Sequence, residues 1–307
     1  MVYQQPYIIA EVGCNHKGDI GIAYELIKTA AMFSNVDAIK FQKRCIRELL
    51  TPDEYFTPHP VPYHAYGATY GEHREHLEFN VDQHKQLRAW CKEFGLAYSS
   101  SVWDLTSARE IASLEPQFIK IPSACNNHYE MLAWLCDNYS GDIHVSLGMT
   151  THSEEHELVN LFVEHKRNND LVLYACTSGY PVDFEDVCLL EIQRLINDYG
   201  SCVKNIGFSG HHNGIAVDIA AYTIGACVFE RHFTLDRTWK GTDHAASLEP
   251  DGLRRLKRNL ECTYKALRYK SEELLPVEIA QRDKLKFKGI REAANDEYRI
   301  YSSSWRQ

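Results

Sequence analysis

Eight short apolar runs, separated by longer stretches of helical period, constrain what this chain can fold into more than any other feature. The runs span residues 7–12, 36–41, 96–100, 117–121, 142–147, 171–176, 204–208 and 226–229. Each is too short for a helix that buries itself and carries the near-continuous apolar pattern of a strand covered on both faces. The gaps predict amphipathic helices over 20–33, 82–94, 105–114, 128–138, 153–165, 184–199 and 214–225, and another over 250–268 after the last run. Asp82 and Ser153 are expected N-caps, and Gly95 a C-terminal stop. Strand and helix alternating eight times give an α/β protein, read as a single (β/α)8 TIM barrel over residues 1–268 with a short C-terminal extension, 269–307. An open doubly wound sheet is the competitor, because closure leaves no trace in periodicity.

Two stretches do not fit the alternation. Residues 45–80, between the second and third runs, are too long for an ordinary loop and hold PDEYFTPHPVPYHAYGATYGEHREHLEF. This segment is either a lid over the barrel mouth or a surface insertion. The extension has weak periodicity and a basic patch at 284–291.

Composition excludes several classes of function. No apolar segment approaches the ~20 residues a membrane helix needs, and MVYQQPYIIAEVG enters a strand-like run without a basic flank or signal core. A cytoplasmic protein that does not bind a membrane is expected. None of the ten cysteines forms a CxxC pair, so reduced thiols are expected rather than disulfides. A net charge of −9 argues against a general nucleic-acid surface. An anionic substrate would therefore need a local basic pocket.

In parallel α/β folds the carboxyl ends of the strands form the ligand face. Nearly every predicted strand here ends in a polar group: Glu11; Lys40 and Gln42; Ser101; Lys120 and Ser123; Ser146; Ser178 and Tyr180; Ser209 and His211; Glu230 and His232. Lysines at the ends of buried strands are costly unless paired with anions, so Lys40 and Lys120 facing one cavity imply a phosphate or carboxylate ligand. Ser101, Ser123, Ser146 and Ser178 could donate to it. His211 and His232, on neighbouring strands, could share a divalent metal or be ordinary histidines among the fifteen in the chain. Glu11, Glu230 and Asp243 are candidates for proton handling or for binding hydroxyls, and Glu230 could equally pair with Lys120. No GxxxxGK[ST], strand-linked GxGxxG or GxSxG occurs, which removes support for nucleotide folds and for a serine elbow.

The stretches YIIAEVGCNHKGD, DAIKFQK, YGEHREHLEF, FIKIPSA, SLGM, CTSGYP, FSGHHNGIAV and ERHFTLDRTWKGTDHAASLEP resemble the sialic acid (N-acetylneuraminate) synthases over about residues 6–278. SGH, YGEH and TWKGTDHAASLEP look more like the animal-type members than the bacterial ones. The resemblance implies a metal-dependent TIM barrel that condenses phosphoenolpyruvate with N-acetylmannosamine or its 6-phosphate and releases phosphate. It implies a divalent metal, Mn2+ or Mg2+, on His211 and His232. Lys40, Ser101, Lys120, Ser123, Ser146, Ser178 and Ser209 then fall where the family grips phosphoenolpyruvate. Glu11, Gln42, Tyr180 and Asp243 fall where it handles the sugar, with Glu11 and Glu230 near the reacting atoms.

Two departures stand out. Where the family carries an acidic residue near the metal, this chain reads KIPSAC, placing Cys125 there, a thiol expected to alter metal preference or water activation. The sequence also ends at Gln307 without the antifreeze-like domain through which the family's homodimer completes its acetamido pocket. A different sugar acceptor, a non-catalytic sugar- or anion-binding barrel and a metal-dependent hydrolase stay as alternatives. Arg237 and Lys240 are candidates for meeting an acceptor phosphate or are simply solvated.

Overall fold

In the computed structural model, which describes residues 3–287, eight parallel strands close into a barrel in chain order. The strands are β1 (Tyr7–Gly13), β2 (Ala38–Lys43), β3 (Ala97–Val102), β4 (Phe118–Ile121), β5 (Asp142–Ser146), β6 (Leu171–Cys176), β7 (Asn205–Gly210) and β8 (Val228–His232). Closure is direct: β1 pairs with β8, matching Ile9 to Glu230 and Glu11 to His232. The open sheet is thereby excluded. The polar groups that sequence reading placed at strand ends meet around one mouth.

Side chains two residues apart on a strand share a face, and this spacing layers the barrel interior. Ile9, Ala38, Phe118, Val172, Tyr174 and Val228 form an apolar floor, with Cys227 beside it. Two residues further along β1, β2, β4 and β8 stand Glu11, Lys40, Lys120 and Glu230. Two further again on β1, β2 and β8 come Gly13, Gln42 and His232. The floor excludes water beneath the charged layer, and the last layer opens to the mouth.

The outer helices are α1 (Ile20–Thr29), α2 (Ile46–Leu49), α3 (Pro52–Phe56), α4 (Tyr70–His76), α5 (Val81–Glu93), α6 (Leu105–Ala112), α7 (Tyr129–Asn138), α8 (His152–Glu164), α9 (Glu191–Tyr199), α10 (Ala216–Thr223) and α11 (Pro250–Ala266). Three expectations are corrected. The N-caps of α5 and α8 are Asn80 and Thr151, not Asp82 and Ser153. Each closes a capping box with the residue three positions on, Gln83 and Glu154, which the two proposed caps cannot do from inside the first turn. The helix expected over 184–199 is a 3-10 turn, Phe184–Asp186, followed by α9, with Cys188 at a φ of 51° between them breaking the helical path. The stretch 20–33 leaves α-helix at Thr29 for a wide turn, Ala30–Ser34. Gly95 does follow α5, at a φ of 74° that favours glycine.

Residues 45–80 fold into α2, α3, a short 3-10 turn (Pro62–His64) and α4, and their side chains line the central cavity. The segment therefore covers the mouth. The chain divides into two compact units, 1–266 and 267–307. The second carries α12 (Pro276–Leu285), with Lys270 paired to Glu278 at 2.7 Å. Of the basic patch 284–291, the last four positions lie outside the described residues.

Candidate functional site

One cavity of about 390 Å³ opens at the carboxyl end of the barrel. Glu11, Lys40, Gln42, Ser101, Lys120, Ser123, Ser146, Tyr180, Ser209, His211, Glu230, His232 and Asp243 all line it. Ser178 stands just behind the lining, against Gly148: a Cβ on Gly148 would sit 2.4 Å from the Ser178 hydroxyl and 2.7 Å from that of Ser123. Only a glycine allows this approach, which also lets the Gly148 N–H donate to Ser123 Oγ at 3.0 Å.

At the bottom lie four buried charges in alternation. Glu11 pairs with Lys40, Lys40 lies 3.7 Å from Glu230, and Lys120 donates to Glu230 at 2.9 Å. Lys40 also donates to Ser101 at 2.5 Å, and Ser209 donates to Glu230 at 3.5 Å. Burial raises the Glu11 pKa further than Lys40 can lower it, so this carboxyl is held towards its protonated form. Burial also opposes the Glu230 carboxylate, but Lys120 and Lys40 outweigh it and its pKa falls. Burial thus weakens the Glu11 carboxylate as a partner for Lys40, while Glu230 is shared between Lys40 and Lys120, which suits the pair of lysines to a further anion.

Lys120, only 1% exposed, is held from below: its Nζ lies 4.1 Å from the centroid of the Tyr174 ring, and the Tyr174 hydroxyl shares a 2.7 Å hydrogen bond with His144 Nδ1. Burial lowers the Lys120 pKa, partly offset by Glu230. A cation with one ion-pair partner and one aromatic face keeps donors for a ligand.

The two imidazoles sit side by side, ring centroids 5.4 Å apart, with the Tyr180 ring 4.4 Å from His211. The backbone carbonyl of Thr177, 2.9 Å from His211 Nδ1, accepts from that nitrogen and orients the ring, while the Cys176 thiol beside it outweighs burial and raises the His211 pKa. His232 Nδ1 is buried and without a hydrogen-bond partner. Burial holds His232 down at about 4, in the neutral form that binds metals. Among the described residues no cluster of three or more His, Cys, Asp or Glu side chains has metal-binding geometry. The fit is thus to an ion held by two imidazoles and completed by non-protein ligands.

Behind His211, the buried Arg231 guanidinium pairs with Asp218 and donates to the His212 carbonyl at 2.7 Å, while His212 Nε2 lies 3.2 Å from Asp218. This network ties β7 and β8 to α10 beside the two imidazoles.

Cys125 is a correction. It is buried in a 3-10 turn outside the cavity lining, its thiol pushed up to about 12 by burial, so it offers neither a thiolate ligand nor a water-activating group. Arg237 also stands outside the lining, donating to the Ala245 carbonyl and to Asn213, whereas Lys240 lines the cavity.

Sequence reading missed Cys14, Arg44, Arg74, Trp103 and Cys176, all of which line the cavity. Cys176 ends β6 and hydrogen-bonds His211, so the strand-end criterion applied to it as well as to the serines. Arg44 is held by Glu78 at 2.5 Å and donates to Cys14 Sγ at 2.9 Å. Glu78 lies 34 residues further along the chain, and no local pattern announces that pairing.

A sequence model described as the NeuB family matches residues 26–272. N-acetylneuraminate-9-phosphate synthase of Mus musculus is 36% identical over 91% of this chain and 76% of its own length. N,N'-diacetyllegionaminic acid synthase of Campylobacter jejuni is 33% identical over 85% and 77%. The solved structure of N-acetylneuraminic acid (sialic acid) synthetase from Leptospira borgpetersenii, in complex with citrate, superposes with a TM-score of 0.76 at 27% identity, covering 92% of this chain and 93% of that one. Barrel, cavity and these likenesses agree, and the chain belongs to the NeuB family.

Proposed function

We propose that this protein condenses phosphoenolpyruvate with the open-chain aldehyde of a mannosamine-type sugar, N-acetylmannosamine or its 6-phosphate. The product is N-acetylneuraminate or a related nonulosonic acid, with release of inorganic phosphate. One observation carries the reading: Lys40 and Lys120, buried and only partly neutralised by Glu11 and Glu230, form an anion cradle beside two imidazoles in a single cavity. Relatives named as N-acetylneuraminate-9-phosphate and diacetyllegionaminic acid synthases support the acceptor class.

Each group has a task. Lys40 and Lys120 take the carboxylate and phosphate of the enol phosphate, with Ser101, Ser123, Ser146, Ser178 and Ser209 as further donors. Gln42, Tyr180 and Asp243 bind the sugar. The enol methylene bonds to the aldehyde carbon, and the aldehyde oxygen gains a proton. Water then adds to the carbon bearing the phosphate, and the C–O bond to phosphate breaks. Glu11, held towards its protonated form by burial, moves the proton, and Glu230 keeps Lys120 charged and aimed. His211 and His232 would hold a divalent ion, Mn2+ or Mg2+, which when bound supplies Lewis-acid polarisation of the aldehyde. We place the activity in the cytoplasm, where its ten free thiols stay reduced.

The test is phosphate release by purified, metal-supplemented protein offered phosphoenolpyruvate and a panel of nine-carbon-acid precursors, with products identified by mass spectrometry. Release that requires both an acceptor and phosphoenolpyruvate is expected. Release without acceptor, or with none of the panel, would overturn the reading.

A further inference from the structure

The loop after β8, residues 233–249, carries Asp243 into the cavity lining. A Cβ on Gly13 would sit 3.1 Å from Glu11 Oε1, 3.5 Å from Asp243 Oδ2 and 3.8 Å from His232 Cε1, so these three side chains converge beside that glycine. On its C-terminal side the Asp243 backbone is fixed to the barrel rim. Ser247 donates to the Asp243 carbonyl at 2.7 Å, and Asn15, just after β1, donates to Ser247 Oγ and to the Phe233 carbonyl, both at 2.9 Å.

On the N-terminal side a different element does the fixing. Tyr66, in the segment that covers the mouth, donates to the Lys240 carbonyl at 2.7 Å, and the Gly241 N–H donates to His64 Nδ1 at 3.2 Å. That carbonyl and that N–H belong to one peptide unit, so both of its polar groups are gripped by the covering segment and the plane cannot rotate. The grip falls where the chain most needs it. Gly241 has a φ of 150°, and a glycine two residues before Asp243 would otherwise leave the backbone free to swing the carboxylate. Thr242 Oγ1 then donates to Asp243 Oδ1 at 2.9 Å. Tyr66 is itself seated: its ring stacks on His76 at 4.9 Å, and its N–H donates to His73 Nδ1 at 3.1 Å.

We propose that Tyr66 and His64 are positioning residues for the acceptor sugar: by clamping the Lys240–Gly241 peptide they set where the Asp243 carboxylate stands in the cavity. The proposal rests on the condensation reading, in which Asp243 binds the sugar while the lysines at the cavity floor take the enol phosphate. Loosening the clamp is therefore felt by the acceptor and not by phosphoenolpyruvate.

The experiment measures KM for each substrate in the metal-supplemented full-length protein, using whichever of N-acetylmannosamine and its 6-phosphate the wild type turns over. Tyr66→Phe keeps the ring and loses only the hydroxyl, His64→Leu removes the acceptor nitrogen, and His64→Gln offers an amide oxygen in its place. Tyr66→Phe and His64→Leu should each raise KM for the acceptor roughly fivefold, the worth of one net hydrogen bond, with KM for phosphoenolpyruvate unchanged. His64→Gln should recover most of that loss. On an Asp243→Asn background Tyr66→Phe should lower kcat/KM by less than about twofold, because no carboxylate is left to place. Unchanged acceptor KM, an equal rise for both substrates, or a full fivefold loss on the Asp243→Asn background overturns the clamp and leaves the condensation standing. No turnover with any acceptor strikes the condensation reading instead. Hydrogen exchange at residues 242–246, which needs no turnover, then decides the clamp: faster exchange in Tyr66→Phe and His64→Leu, restored in His64→Gln, upholds it, and exchange at the wild-type rate overturns it.

Discussion

Lys120 shows how much of this site is set by single contacts. Its ammonium is steadied by Glu230 at 2.9 Å and by the Tyr174 ring at 4.1 Å. Tyr174→Phe keeps the ring face and loses only the bond to His144, whereas Tyr174→Leu removes the face. We expect Tyr174→Leu to raise KM for phosphoenolpyruvate roughly tenfold, the scale of a desolvated cation–π contact, and Tyr174→Phe to recover most of that loss. Steady-state kinetics with varied phosphoenolpyruvate checks it, and equal effects of the two substitutions would refute the role of the ring. At this scale the residue types were legible in the sequence, since Lys40, Lys120, Glu11 and Glu230 stand at strand ends. The pairing of Glu230 with Lys120 stood there only as one alternative, and the joining of both pairs in one layer was not legible, because β1 meets β8 only when the barrel closes.

Among the elements, β7, β8 and α10 are joined by the Arg231, Asp218 and His212 network, whose side chains are fully or almost fully excluded from solvent. Removing one partner of a buried ion pair strands the other charge in a low-dielectric interior. Asp218→Ala should therefore destabilise the protein by about 3–5 kcal/mol, read as a fall in the denaturant midpoint without change of slope. A shift under ~1 kcal/mol would show that water reaches Arg231. The covering segment was the element that sequence reading left undecided. Its capping boxes, Thr51 with Glu54 and Thr69 with Glu72, mark helix starts, but only the contacts of Tyr66 and His64 with the loop after β8 place it over the mouth.

For the molecule as a whole, buried histidines set the acid limit. Burial holds His84 down at about 3, where its Nδ1 lies 2.7 Å from the Tyr98 hydroxyl, and burial does the same for His16, stacked on Phe79. An unfolded histidine titrates near ~6.5, so between about 6.5 and about 3 the unfolded chain binds more protons than the folded one. The stability these neutral rings carry is complete above about 6.5 and is lost as pH falls towards their folded values. His84→Gln, which can still bond Tyr98, should move the acid-unfolding midpoint down by roughly half a pH unit in a circular-dichroism titration. An unchanged midpoint would mean that His84 does not stay neutral in the fold.

What the sequence determined by itself was periodic and local: eight strands, most of the helices between them, and the chemical kinds of residue at the strand ends. Period two and period three-point-six are written along the chain, and a polar residue closing an apolar run is visible without coordinates. The tertiary structure alone decided barrel closure, the gathering of Glu11, Lys40, Glu230 and Lys120 into one layer, and the exclusion of Cys125 from the cavity lining. Each of these joins residues distant in sequence, and packing rather than local propensity brings such groups together.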